Sequence, residues 1–451
     1  MSPDNDLARR LGAGSALAVL VSVIIGSGIF RVPRAIAAAT GSPGAVLLCW
    51  VIGGIVTMCA ALSVAELSTM FPRAGGMYVY LREAYGDRVA FMLGWVNLLA
   101  LPLSQAAIAL VFAGYLRTFV GLDELGVRMV AAGLIGLVAF INYRSLRLAA
   151  ILQNIGTPGK VLALVTLSIT ILVFGHRGGA MSETPFTWMP RSIGGFGIAL
   201  VAVLYAYDGW AQFSSLAGEV RDPGRTLPRV LVGGMSIVIV VYLAANWAYL
   251  SALRIDEMAV SPIVAADALS RAIGNVAGSL VSAMVMLSAF GALNSLMMTE
   301  PRFFFAMARD GLFFRSISAI HPRNQTPHRA VVLSAMLAFF YVGFRSFEQL
   351  AESFVIATSP LFTLAVAGVL VLRRRRPDLP RPYRTPGYPI VPLVYVGGGI
   401  FIVANALIQH PVSTGVSFAV TLLGVPIFAV WSRRPAARRA AVPASQVLGA
   451  E

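Results

Sequence analysis

A chain of 451 residues that is 57% hydrophobic and 12% charged, with a mean hydropathy of +0.78, has about half the charge of a soluble globular protein, for which roughly 25% is usual. That leaves too little charge to cover a water-facing surface of this size. The formal charge of +15 invites a nucleic-acid reading, but nearly all the cations are Arg lying in short stretches between apolar blocks, which marks membrane topology and not a binding stripe; no nucleic acid is expected.

In chain order, residues 1–12 form a short N-terminal segment with charges of both signs. The first apolar block is too long for a signal peptide and lacks a clear cleavage site, so it is expected to stay. Twelve spans are predicted, at about 13–38, 44–68, 88–118, 126–143, 153–175, 194–217, 228–251, 275–299, 329–345, 351–372, 389–408 and 414–431, followed by a tail at 432–451. The third is long enough to tilt. Cys49 and Cys59 share the second span; ten helical residues set them about 15 Å apart, too far for a mutual disulfide, and both read as inert buried thiols. With the N-terminus in the cytoplasm, 26 of the 35 Lys and Arg fall in cytoplasmic segments and 9 elsewhere. That bias places both termini in the cytoplasm of a multi-pass cell-membrane protein.

Two spans are irregular. In span 1 the apolar run is interrupted by Ile25-Gly26-Ser27-Gly28-Ile29-Phe30; each glycine weakens a helix by roughly 1 kcal/mol relative to alanine. If the helix opens, a second half begins near Ser27 to Ile29, and its free N–H groups and positive dipole end suit a carboxylate. The freed carbonyls of Ile24 and Ile25 would point the other way, toward an ammonium group. The alternative is a Gly-x-Gly that only lets two helices pack closely. Span 6 carries Tyr205-Ala206-Tyr207-Asp208-Gly209-Trp210. An aspartate at mid-membrane costs about 2.5–3.5 kcal/mol on insertion scales, so Asp208 either caps a second half-helix beside Gly209 or touches cargo or a proton. Tyr205 and Trp210 are packing aromatics or gates. Breaks at matching positions of two five-helix halves are the pattern of an inverted-repeat transporter.

The stretch Ile24 to Phe30 with Gly41-Ser42-Pro43-Gly44 resembles the first hairpin of the amino acid–polyamine–organocation (APC) superfamily. Ala65-Glu66-Leu67-Ser68, Phe71-Pro72, Gly75-Gly76 and Tyr78-Val79-Tyr80 to Tyr85-Gly86 resemble its first cytoplasmic loop. Ala206 to Trp210 with Glu219-Val220-Arg221-Asp222-Pro223 and Leu227-Pro228-Arg229 resembles helix six of the L-type amino acid transporter branch, and Phe304 to Gly311 with His321-Pro322 resembles the loop after span 8. The likeness runs over nearly the whole chain up to about Ser432. It implies an all-α, LeuT-like fold: a first repeat of spans 1–5 (13–175), a second of spans 6–10 (194–372), with helices 1 and 6 discontinuous, and two extra helices (389–431). It also implies alternating access and a substrate site in which the N–H groups of Ser27, Gly28 and Ile29 hold the carboxylate, while carbonyls near Ile24, Tyr205 and Ala206 take the amino group. Tyr205 stands where the family often has an aromatic gate. Asn154-Ile155-Gly156-Thr157-Pro158-Gly159-Lys160 resembles the start of helix five in bacterial carriers, where a lysine lies close to the place a sodium ion occupies in other members. Lys160, the only lysine, would sit about 10 Å inside the span. It either snorkels to the interface or replaces a coupling cation by donating to carbonyls near Gly26.

The reading is therefore a secondary carrier of small neutral amino acids in the lipid bilayer, not an enzyme, needing no cofactor or metal. Eukaryotic L-type members join a heavy chain through an outer-loop cysteine, which this sequence lacks, so no disulfide-linked heavy chain is expected. Side-chain selectivity is assigned to Ser104, Gln105, Leu293, Asn294 and Thr358, none of them a carboxylate suited to a cationic cargo. The rivals are a proton-coupled cationic amino acid or polyamine carrier and a non-transporting sensor on the same fold.

Overall fold

The computed structural model describes residues 7–175, 179, 181, 187–261, 263–344, 347–409 and 411–432. The tail expected at 432–451 lies outside them except for Ser432, as do the first six residues of the N-terminal segment.

Span 1 is two helices, α1 (Ala13–Ile24) and α2 (Gly28–Thr40), and Gly41, at φ 60°, ends the second in the left-handed region. Ser42 caps α3 (Pro43–Met70) by accepting from the Ala45 N–H, with Pro43 in the first turn, where its missing N–H costs nothing. A short helix, α4 (Met77–Tyr85), occupies the following loop. The long α5 (Asp87–Val120) leads to α6 (Glu124–Arg144), capped by Asp123, and α7 (Leu146–Phe174), capped by Ser145. Span 5 thus begins at Leu146 and not near 153. The stretch Asn154 to Lys160, expected at the start of the span, lies well inside a helix that begins at the Ser145 cap. Lys160 is consequently 14 residues into α7, roughly 21 Å along it, twice the expected depth. It belongs to the membrane interior and leaves the count of cytoplasmic cations.

Span 6 is also split, into α8 (Ile193–Ala206) and α9 (Trp210–Ser214), followed by a single 3-10 turn at Ala217–Glu219. Then come α10 (Pro223–Ala252), two short helices, α11 (Ile255–Val260) and α12 (Val264–Ile273), and α13 (Ala277–Thr299). Glu300 and Pro301 join α13 to α14 (Pro301–Arg309), a helix where the sequence reading has a loop. The remainder is α15 (His328–Phe344), α16 (Phe347–Arg375), α17 (Ile390–Gln409) and α18 (Pro411–Ser432). Among the described residues, 11 helical stretches are long and apolar enough to cross a membrane, and the shorter apolar helix His328–Gly343 stands in the ninth position. Large apolar side chains such as Ile55, Met129, Phe140, Leu162 and Ile408 are exposed, as suits helices whose outer faces meet acyl chains.

Both breaks lie at the centre. The first half of span 1, α1, packs on α7, α10 and α13, while α2 packs on α8 and α11. From the end face, residues 7–11 form a strap: Leu7 and Leu11 are buried, the Leu11 N–H donates to the Glu219 carbonyl, and the Arg221 N–H donates to the Leu11 carbonyl, each at 2.9 Å.

Candidate functional site

The two breaks touch. A Cβ on Gly28 would stand 3.1 Å from both Cα and Cβ of Ala206, and a Cβ on Gly209 would stand 2.6 Å from Ile24 Cγ1. Glycine at these two positions lets one break enter the other. Gly209, at φ 139°, also adopts a backbone conformation that disfavours any side chain. A Gly-x-Gly serving helix packing alone would leave span 1 continuous; here it is unwound at residues 25–27.

In the first break the donors are open. The Phe30 N–H turns back to the Ser27 carbonyl at 3.2 Å, but among the described hydrogen bonds nothing accepts from the N–H groups of Ser27, Gly28 or Ile29. All three residues are buried. Free amides at the start of a 13-residue helix, backed by its dipole, are groups suited to an anion.

The acceptors of this break are already engaged. Ile24 O receives the Gly26 N–H and the Tyr242 hydroxyl, both at 2.8 Å. Ile25 O receives Lys160 Nζ at 2.7 Å and Ser288 Oγ at 2.9 Å. A carbonyl oxygen has two lone pairs, so neither is left for an ammonium cargo. The carbonyls of Ile24 and Ile25, expected to face an ammonium group, thus carry fixed partners in this structure. Lys160 spends its three donors on Ile25 O, Ser22 O at 3.1 Å and Ser288 O at 3.3 Å. Its side chain is 2% exposed, so it does not snorkel. Gly291 makes room for it, since a Cβ there would lie 3.1 Å from Nζ.

The second break has the opposite character. Tyr205 O accepts from the N–H groups of Tyr207 and Asp208, whereas Ala206 O has no donor among the described hydrogen bonds. The carbonyl set foreseen around Ile24, Tyr205 and Ala206 therefore reduces to Ala206. The N-cap of α9 is Gly209 and no side chain caps it. Asp208 instead accepts from the side-chain amide of Gln212 at 2.6 Å; it stands one residue too early to act as the cap. Its carboxylate borders a cavity of about 50 Å3 with Trp210, Thr358 and Tyr395, room for a few waters and no more. Trp210 meets Phe362 and Tyr395 edge-on, at 6.0 and 5.5 Å between ring centres. Tyr205 is half-buried and bonds Ser104.

This pairing of unwound spans one and six fits a carrier of zwitterions, and comparison with known proteins decides the family. The amino acid permease family model matches residues 11–430. The chain belongs to the amino acid permease family. It is 31% identical to the serine/threonine exchanger SteT of Bacillus subtilis, over 96% of this chain and 99% of that one. It is equally similar, at 31%, to the human cystine/glutamate transporter, covering 95% of this chain and 87% of that one. The same figure holds for the mouse large neutral amino acids transporter small subunit 2, with 95% and 82% covered. The APC resemblance and the LeuT-like membrane fold with broken helices stand on these matches, and the protein is an amino acid transporter and not an enzyme.

Around the permease site some assignments move. Asn294 does not face the breaks: it bonds Asn142 at 2.9 Å and the Ala149 carbonyl at 3.1 Å. Gln105 donates to Glu300 and, at 2.8 Å, to Ser334. Leu293 is fully buried. Thr358 alone of the five lines the Asp208 cavity. Sequence reasoning missed Tyr242 and Ser288, which hold the first break, and Tyr207, whose hydroxyl reaches Trp50 O at 3.3 Å and whose ring lies 5.3 Å from Tyr242. A tyrosine or serine in an apolar helix gives no signal of this role. An open groove of about 740 Å3 lies between α1, α7 and α10, lined by residues such as Leu17, Val21, Val161 and Ile237. Its apolar, outward position suits acyl chains.

Proposed function

We propose that this permease exchanges small neutral amino acids across the cytoplasmic membrane by alternating access, binding the cargo carboxylate on the amides of Ser27, Gly28 and Ile29 and the cargo ammonium at the Ala206 carbonyl. The observation that carries it is the abutment of an open donor set on an open acceptor, the two charges of a zwitterion. Tyr205 and Trp210 act as gates at the second break, with Asp208 and Gly209 shaping it. Lys160 takes the place of a coupling cation, since its ammonium is ringed by carbonyls as a metal ion would be.

Residues 13–175 and 194–372 are the two repeats, 389–431 the added pair, and both termini are cytoplasmic by the Arg distribution. The carrier works without a disulfide-linked heavy chain, because Cys49 and Cys59 are both buried in α3. The relatives' names cover neutral and acidic cargo at equal identity. Neutral cargo is favoured because, of the two cations beside the first break, Lys160 has its donors committed and Arg31 bonds Tyr115. Asp208, bordering a cavity, is the feature that would favour a cationic amino acid or polyamine. A competition screen in proteoliposomes separates the two: serine, alanine or leucine should displace a labelled neutral amino acid more strongly than lysine or agmatine. The reverse order overturns the neutral assignment, and absence of uptake with sound amino acid binding returns the sensor reading.

A further inference from the structure

A second carboxyl group deep in the span Val264–Arg309 is used by nothing described above. Glu300, at the joint of α13 and α14, is fully buried. Its neighbours are neutral donors: Gln105 Nε2 from α5 donates to Oε2, and the same amide nitrogen donates to Ser334 Oγ of α15. Arg302, two residues on, is held elsewhere, by Glu219 at 2.8 Å, with both side chains 2% exposed. From the second break the charge that reaches Glu300 is Asp208, a like charge. A buried carboxylate without a cation is costly, and a neutral acid far less so. Two buried oxygens at this cluster, Glu300 Oε1 and Gln105 Oε1, have no donor among the described residues. One proton on Glu300 supplies a donor where two acceptors lack one.

The chain on either side of Glu300 is held by one segment. Thr299 O accepts from Ser215 Oγ at 2.7 Å, and Arg302 is tied to Glu219. Both partners lie on the segment that follows the second break, and that segment is strapped to Leu11. If it swings away to open a path to the breaks, it uncovers residues 299–302 together, and Glu300 meets water.

We propose that Glu300 is a proton-binding residue of this permease, neutral while the segment carrying Ser215 and Glu219 is closed over it and ionised once that segment opens. The proton passes from the carboxyl to water on the opened side and is taken up again before closure. Because the proton returns from the same side before closure, none is carried across with the cargo; the closing step, and with it the rate of exchange, is tied to pH. The inference rests on the carrier reading above, so the experiment first measures counterflow of a labelled neutral amino acid in wild-type proteoliposomes at one pH; failure there counts against the carrier reading alone.

Counterflow is then followed across roughly pH 5 to 8. Wild type is expected to titrate over that range, and Glu300→Gln, which fixes the neutral form's shape, is expected to lose the titration. Should Glu300→Gln fail to reach the membrane, Gln105→Leu takes its place. It removes a donor to the ionised form, so the midpoint should move to more alkaline pH. A flat wild-type profile, a Glu300→Gln profile that titrates as wild type does, or an unmoved midpoint in Gln105→Leu overturns the assignment.

Discussion

The two breaks do the same thing to a helix and leave opposite chemistry behind. At residues 25–27 the freed carbonyls are claimed by fixed partners, Tyr242, Lys160 and Ser288, and the N–H groups stay open. At residues 207–209 the Ala206 carbonyl stays open, and the five-residue helix beyond begins at a glycine without a side-chain cap. An unwound helix in lipid must satisfy both sets of backbone groups. Here the neighbours satisfy the acceptors of one break and leave the complementary groups for cargo. The lesson is that a glycine-rich break is not by itself a zwitterion site. Which charge it takes depends on what the surrounding helices already occupy.

The strongest way to break the contrast is to remove Lys160. Lys160→Ala takes one donor each from Ser22 O, Ile25 O and Ser288 O, of which Ile25 O keeps Ser288 Oγ; a buried acceptor left with none costs about 1–3 kcal/mol. Transport should fall by about a hundredfold or more, well beyond any fall in the amount of protein in the membrane; normal uptake by this variant refutes the role given to the ammonium. Next is Gly209→Ala. It adds the roughly 1–2 kcal/mol of a left-handed non-glycine to a Cβ that would sit 2.6 Å from Ile24. Counterflow should drop by about tenfold or more, since 1.4 kcal/mol is tenfold, and a variant with full activity would mean the breaks need not touch.

A smaller effect sharpens the same contrast. Tyr242→Phe deletes one hydrogen bond to Ile24 O, worth about 0.5–1.5 kcal/mol net. Exchange should weaken by about two- to tenfold, read as a higher half-saturation concentration, with the apolar packing on Trp50 retained. Smallest is Ser288→Ala. Lys160 still serves Ile25 O there, and only the 3.1 Å bond to Gly26 O goes unreplaced, so a loss of no more than about threefold is expected, within the lower end of a single hydrogen bond. A larger loss than in Tyr242→Phe would mean that Ser288, and not Tyr242, holds the break.

What could be read in the sequence was whatever disturbs an apolar run. Gly26, Gly28 and the Asp208–Gly209 pair stand out against lipid-compatible residues, and both breaks fall where those residues are. Helix five begins at Leu146 and not at the expected 153, because its start is marked only by Ser145, an ordinary N-cap residue. The engaged carbonyls were not legible at all. Tyr242 and Ser288 act on residues 218 and 263 positions away, and nothing local to either reports that contact. Asn294, expected toward the cargo, sits on a helix with small and apolar residues on every side, so periodicity does not choose its face; the structure turns it to Asn142. Glu300 was visible as an acid at the edge of a span, but the loop assigned after residue 299 hid its burial.

The central claim is that open backbone amides grip the cargo carboxylate while an open carbonyl takes the ammonium. Its most direct test is competition for counterflow by serine, serine methyl ester, ethanolamine and the corresponding hydroxy acid. The two-break site predicts that serine competes well and that all three analogues, each missing one charge, fail. Equal competition by the methyl ester or ethanolamine would show that no amide site reads the carboxylate, and the account built on the two breaks would be wrong.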